Sequence, residues 1–455
     1  MKTILIAGAG FSGTLTAVQL LRQCGTQKIN LLLVERSDEF ASGLAYGRAA
    51  ADHMLNVPAG NMSALPDQPD HFLHFCQRLD PAHGASSFLP RRLYAGYLAD
   101  LLQQQEQARP GLLQRIHAEV VALTPAPGGW QVTLDQGQTL RVDQVVLASG
   151  NALPAHPHMA GNPAAADFYH SNRYVQDPWS APALQAPDSD LPILLLGSGL
   201  STVDLACSLR QQLPNRLLAL SRHGLLPQPH RPSRSAGLLR AMPRLAGSDS
   251  LRQKLTRLRQ HLRQGLALGE DWRDVMAALR NETPALWQEL GLREQRQFIR
   301  HVRPYWDAHR HRVAPVPWQH FMAAVTDGHL QLLAGRIVDY RESANGVTVH
   351  YRPRGLQAIR QIKVARVINC TGPATRLADS DSPLLRQLLD TGRICSDPLH
   401  LGMATNAAFA TMDIHGKPTP NLYYIGPGLR ARFWEATAVP ELRQFARQLA
   451  AILLA

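Results

Sequence analysis

The chain has 455 residues, enough for about three domain-sized units and a large core that needs no covalent staples. Its 45% apolar and 18% charged content excludes an intrinsically disordered chain. The net charge of +12 comes from 42 Arg and 5 Lys, and residues 222–312 hold 17 of the Arg and 1 Lys against 8 acids. Acids interleave with these bases and no aromatic stacking platform accompanies them. The segment therefore predicts a solvated face around an anionic-ligand site, with no nucleic-acid partner.

Thr3 to Leu21 is uncharged behind Lys2, the profile of a signal peptide or a membrane span. Glycines and a Ser-Gly pair at its centre would make a poor spanning helix, and Ala7-Gly8-Ala9 comes too early for signal cleavage. A buried strand, turn and helix with no membrane partner is the expectation. Residues 4–22 read ILIAGAGFSGTLTAVQLLR, an apolar run, a glycine turn and an amphipathic helix pattern. In Gly8-x-Gly10-x-x-Gly13 the first glycine permits the tight turn, the second lets a pyrophosphate approach the backbone, and the third lets helix pack on strand. Phe11 and Ser12 open the helix whose N-terminus would face the phosphates. Glu35, 22 residues after Gly13 and followed by Arg36, would accept from ribose hydroxyls.

Residues 119–150 read as a β-meander punctuated by Gly128-Gly129, feeding a buried strand that ends on Gly150. Val121 lies at its start. Residues 151–191, rich in Pro, Ala and Asp, predict connecting loops. At 193–210 the first motif returns as ILLLGSGLSTVDLACSLR. Here Gly197-x-Gly199-x-x-Thr202, with Ser201 inside it, is a degraded copy of the glycine turn. Its next strand ends on Ser221-Arg222 where the first copy has Glu35-Arg36. An acid would repel a 2′-phosphate, whereas Ser and Arg can bind one; the plainer alternative for Arg222 is a surface charge. FAD on the first copy and NAD(P)H on the second, with NADPH favoured, is the resulting assignment.

Residues 237–300 are mostly helical by pattern and predict an insertion. The run RHVRPYWDAHRHRVAP at 300–315 offers Arg303, His309 and Arg310 as substrate-binding candidates. Arg300 and Arg312 belong to the same set, with a structural salt-bridge network as the alternative. His309 and His311 have no carboxylate or Cys partner at ligand spacing, so no metal site is expected. Five cysteines (24, 76, 207, 370, 395) form no C-x-x-C. That opposes a zinc ribbon or a dithiol pair and fits a reducing, cytoplasmic compartment. A second meander at 335–372, punctuated by Asn345-Gly346, ends on Gly372. The predicted fold is α/β, with two Rossmann-like dinucleotide-binding domains, β-meanders and a helical insertion. Residues 1–190 plus 334–455 would form the FAD domain, and 191–333 the inserted NAD(P) domain.

The stretch DHMLNVPAGNMSALPDQP has Asn56-x-Pro58, Met62 and Asp67, followed by Arg92, Tyr94 and Tyr97-Leu98. It resembles the flavin-containing monooxygenases, whose Asn at this place sits beside the reactive edge of the flavin. That resemblance nominates Asn56 as catalytic and Arg92 as cofactor-binding. His170 to Tyr174 resembles the second half of that family's fingerprint; the first half is absent, with alanines at 164 and 166. Across nearly its whole length the chain is similar to a bacterial FAD/NAD(P)-binding family that includes urate hydroxylases and aspartate N-monooxygenases. GLAYG (43–47), LNVPAG (55–60), the Arg-His run and YIGPGLRARFWEATAVPELR (424–443) carry that likeness. Where related flavoproteins place an Asp after Gly426, this chain has Pro427, so backbone around Gly426 and Gly428 must hold the ribityl chain. The resemblance implies a monooxygenase in which a flavin C4a-hydroperoxide transfers oxygen from O2 to a small polar substrate, with urate as the candidate. Alternatives are an N-hydroxylating amine or amino-acid monooxygenase, a plain NAD(P)H:flavin oxidoreductase, or a nucleotide sensor.

Overall fold

The structure is a computed structural model that describes residues 1–159, 163–231 and 240–455, without the side chains of 163–165. The side chain of Ala164 and the first residues of the expected insertion, 237–239, fall outside the described set. The leucine- and isoleucine-rich strand Lys2–Ala7 is buried from Ile4 onward, between Ile29–Glu35 on one side and Gln144–Leu147 on the other. Leu113–His117 and Pro418–Tyr424 extend this parallel sheet outward, and Ala410–Met412 closes the far edge antiparallel. The helix Phe11–Gln23 buries Leu15, Val18, Leu20 and Leu21 against the sheet. Val439–Leu454 and Arg91–Ala108 cover its other side. The first meander forms a separate three-stranded antiparallel sheet of Val120–Ala126, Gly129–Leu134 and Thr139–Val142.

The second sheet repeats the plan. Ile193–Leu196 lies at its centre between Leu217–Ser221 and Arg366–Asn369, all parallel, with Tyr174–Val175 beyond. On the other side Leu330–Ser343 pairs parallel with Leu217–Ser221 and antiparallel with Gly346–Pro353, which carries Arg360–Val364. The strand pairing of this sheet does not stop at the expected boundaries of 190 and 334. Tyr174–Val175 and the second meander are hydrogen-bonded into the second sheet. The physical reason is that Leu330–Ser343 is one continuous strand. Its first residues register on Leu217–Ser221 and its last ones start the meander, so neither half can leave that sheet. In the first unit the corresponding chain breaks at Ala118-Glu119, and the meander separates.

The insertion comprises the helices Leu251–Ala267, Trp272–Glu289, Leu292–Gln297 and Arg303–Arg310, with a π-turn at Phe298–Val302. Ser250 and Gln253 form a reciprocal capping box at its first helix. Trp287 packs tilted and Phe298 edge-on against Trp434, with ring centroids 4.6 and 5.0 Å away, and Trp287 Nε1 donates to the Ala431 carbonyl at 3.0 Å. The insertion is thereby anchored to the C-terminal 424–443 segment.

Candidate functional site

The first glycine turn is closed backbone against backbone. Gly8 has φ +107°, and a Cβ there would come within 2.5 Å of the Ala148 carbonyl oxygen. A Cβ on Gly13 would fall 1.8 Å from the Gly8 oxygen, so only glycine lets the helix sit this close. Gly10 is different: its nearest neighbour would be Gly43 Cα at 3.6 Å, which leaves an open approach. Gly10 caps the helix without any side-chain bond, so the N–H groups of Phe11, Ser12 and Gly13 have no capping partner and suit an anion. Glu35 accepts from Ala9 N at 2.7 Å with one oxygen and from Ser37 with the other. A carboxylate keeps lone-pair capacity beyond these bonds. Gly426, at φ +146°, lies close to Ser12 Oγ, and Gly428 N donates to Tyr424 Oη at 2.8 Å. The residues proposed for FAD therefore converge on one cradle that a Cβ would fill. Three are placed differently. Arg36 is exposed and reaches Glu119 at 3.4 Å, Arg92 Nε donates to the Ala49 carbonyl, and Val121 sits at a β-bulge.

The second turn repeats this geometry. Gly197, at φ +119°, faces the Cys370 oxygen as Gly8 faces that of Ala148, again at 2.5 Å from a notional Cβ. Gly150 and Gly372 close the equivalent strands, both with positive φ. Gly199 caps the helix Leu200–Gln212 without a side chain. Thr202 is fully buried where the first copy has Gly13. Ser221 Oγ is held within its loop by Ser198 Oγ (2.9 Å) and Gly224 N (3.0 Å). Arg222 is half-buried, and burial, then the charges of Arg303 and Arg336, lower its pKa. Among the described residues Arg222 and Arg336 have no ion-pair partner, and Arg303 has only Asp307 at 3.2 Å. Such a cluster of guanidiniums suits a phosphate.

Between the two units lies a cavity of about 440 Å³. The first unit supplies Tyr46, Asn56, Asn61 and Met62, the second Trp179, Leu200, Ser201 and Gly372. The insertion supplies Ala277, Arg280 and Arg310, the following turn His311 and Arg312, and the C-terminal segment Thr437 to Val439. His230 Nε2 lies 3.0 Å from the Asn56 main-chain oxygen. A carbonyl only accepts, so this nitrogen carries the proton. Burial, reinforced by Arg312, pushes the His230 pKa down to about 4, and the ring is neutral. Desolvation brings His311 to about 4 as well, against the opposing pull of Asp307. Arg310 pairs with the buried Glu435 at 2.7 Å, and Arg280 with Glu441 at 2.5 Å. Both pairs join the insertion to the C-terminal segment. Trp434, at φ +56°, adopts a left-handed conformation costly for a bulky residue, and Arg430 lies over its ring at 4.2 Å.

Of the nominated residues, the cavity brings together Asn56, Ser201, Gly372, Arg310 and Arg312. Arg303 and His309 do not line it. Arg303 is beside Arg222, and His309 Nδ1 bonds its own helix at Tyr305 O while its ring packs on Trp272. His309 is turned about 100° from Arg310 on the same helix, whereas Arg303 shares the face of Arg310 but lies about two turns earlier, beyond the cavity. Sequence reasoning missed His230 and Arg280. His230 stands in a proline-punctuated loop with no motif, and Arg280 looks like any charge on an amphipathic helix. Among the described residues no group of three His, Cys, Asp or Glu could hold a metal, and no helix is long and apolar enough to cross a membrane. The two units are tied beside the cavity by Arg91–Asp204 at 2.5 Å, and His53 and Asp52 both reach Ser208.

Residues 5–152 match a family model described as FAD-NAD(P)-binding. Uncharacterized proteins of Mycobacterium bovis and Mycobacterium tuberculosis are 23% identical, over 99% of this chain and 95% of theirs. Among solved structures, the ornithine N-hydroxylase of Kutzneria sp. 744, with reduced FAD, NADP+ and L-ornithine, is similar at TM-score 0.66 and 12% identity. That match covers 99% of this chain and 98% of that one. The FAD-bound cadaverine monooxygenase of the desferrioxamine pathway from Erwinia amylovora gives 0.60 and 14%, covering 99% and 94%. The chain has the α/β fold of these flavin monooxygenases, with the strand, glycine turn and helix unit built twice.

Proposed function

We propose that the protein is an FAD- and NADPH-dependent monooxygenase that N-hydroxylates a small amine. The observation that carries this reading is the cavity walled jointly by both dinucleotide units and the insertion, with Asn56 on its wall. The N-hydroxylating character of the similar structures favours an amine over urate, which has no comparable support. The uncapped glycine turn at 8–13, with Glu35, would hold the pyrophosphate and ribose of FAD; the turn at 197–202 and Arg222 would hold NADPH. When bound, FAD supplies hydride acceptance and oxygen activation, chemistry that no side chain offers. The chain's own part is to position and to exclude water. Leu55, Val57, Met62, Ala277 and Val439 give the cavity apolar wall, in which the Asn56 amide and other polar groups act strongly. Neutral His230 fixes the Asn56 main chain without adding charge.

The test is a coupled assay on FAD-loaded protein. NADPH consumption should rise with a small amine or amino acid, and the product should be a hydroxylamine formed without matching hydrogen peroxide. Stimulation by urate, or peroxide release that no amine suppresses, would remove the reading.

A further inference from the structure

We propose that the substrate carries a single carboxylate and that Arg312 is its receptor. This rests on the monooxygenase reading for the reaction, but the site is argued from charge alone. Four guanidiniums gather here: Arg312 and Arg310 line the cavity, and Arg312 feels the charges of Arg310, of Arg273 and of Arg231, opposed by Asp271. Three carboxylates answer them. Arg231 pairs with Asp271 and Asp274, Arg273 with Asp271, and Arg310 with Glu435. Arg312 is left over. It has no ion pair among the described residues, and the stretches 160–162 and 232–239 contain no carboxylate at all. Its Nε is buried with no hydrogen-bond partner, although the side chain lines the cavity.

The neighbouring imidazoles do not alter this balance, because His230 and His311 are both neutral near pH 7. Among the described residues the one carboxylate on the cavity wall is Asp177, matched by Arg48 at 3.2 Å. Burial and like charges lower the Arg312 pKa to about 10, so it stays charged and lacks a counter-ion. An uncompensated, half-buried guanidinium is costly and is relieved by an anion. One excess positive charge on a planar fork matches a carboxylate monoanion accepting two parallel hydrogen bonds; a phosphate dianion would demand a second free cation. The two similar enzymes differ at this point of chemistry, since ornithine has a carboxylate and cadaverine has none.

Binding can be read without turnover. FAD-loaded wild type is titrated with L-lysine against cadaverine, and 4-aminobutyrate against 4-aminobutanamide, following the flavin difference spectrum and calorimetric heat. The carboxylate member of each pair should bind about 10- to 100-fold more tightly. Arg312→Gln should erase that preference and Arg312→Lys should keep part of it, with FAD content as the check on folding. If neither pair shows a carboxylate preference in wild type, the proposal is overturned, whatever the variants do. If the preference survives in Arg312→Gln, the receptor is elsewhere and the assignment is overturned. Carboxylate binding that depends on Arg312, with no amine oxidised, would leave this inference standing and remove the hydroxylase reading. Hydroxylation of both members of a pair with equal KM would do the reverse.

Discussion

The two glycines at 10 and 13 separate folding from cofactor binding. A Cβ at Gly13 would overlap the Gly8 carbonyl at 1.8 Å, so Gly13→Ala must push helix from strand. Overpacking of this kind costs about 1–3 kcal/mol; a lowered Tm, together with loss of FAD, is expected in thermal melts. At Gly10 the nearest atom would be 3.6 Å away, so Gly10→Ala should melt close to wild type yet retain less FAD, read as flavin absorbance per protein. Asn56 is a different case, because its amide has no structural bond to lose among the described residues. Asn56→Ala should bind FAD and oxidise NADPH, but release hydrogen peroxide in place of product. Loss of one positioned donor costs roughly 10²-fold in product formation. Arg222→Ala should raise the KM for NADPH about tenfold or more and leave NADH nearly unchanged, since only NADPH offers the 2′-phosphate. A wild-type preference for NADH in the same assay would refute that role.

The insertion is a wall held by the C-terminal segment and by the loop of Arg231, which pairs with Asp271 and Asp274. Its hold on the C-terminal segment includes the aromatic cluster of Trp287, Phe298 and Trp434, the Trp287–Ala431 hydrogen bond, and the pairs Arg280–Glu441, Arg310–Glu435 and Arg430–Asp307. Arg280 and Glu441 retain 20% and 15% side-chain exposure, so the pair is only partly screened by water. Glu441→Gln would leave a guanidinium unanswered beside the cavity and should lower Tm, at a cost of about 1.5–3 kcal/mol for a charged hydrogen bond. The same change should raise the peroxide released per NADPH, since a loosened wall admits water. Restoration of tight coupling in the double variant Arg280→Met/Glu441→Leu would show that the wall, and not the charge, protects the reaction.

At the scale of the molecule, acid should loosen the arrangement. His230 sits at the junction of the cavity with both units, and burial holds its pKa at about 4, below the ordinary 6.5. The folded chain then binds fewer protons than the unfolded one between pH 6.5 and 4. Stability is therefore present above 6.5 and falls as the pH drops through that window. His311 acts in the same direction but is about a third exposed, so its share is smaller. Melting temperatures should fall from pH 7 to pH 5, and His230→Gln should flatten part of that slope. A slope identical in the variant would assign the acid sensitivity to other groups.

Much of this was legible in the chain itself. Two apolar runs, each followed by a glycine turn and an amphipathic helix, suffice to predict two parallel βα units. Backbone sterics at Gly8, Gly13 and Gly197 are local, and a local constraint leaves a residue-level signature. The meanders were readable for the same reason, from alternation and from Gly128-Gly129 and Asn345-Gly346. Which sheet the second meander joins was not readable. Alternation names the buried face of Leu330–Ser343 but says nothing about the strand it meets, and here Leu217–Ser221 decided it through hydrogen-bond register. The Arg-His run shows the same limit. Its charges are plain in the sequence, yet Arg303, Arg310 and Arg312 have three different fates. Their carboxylate partners, or the lack of one, come from segments as distant as Glu435. His230 had no signal at all, because its meaning lies in a neighbour 174 positions away. Local propensity and steric need are written in order along the chain, whereas charge balance and desolvation belong to the space that the folded segments enclose.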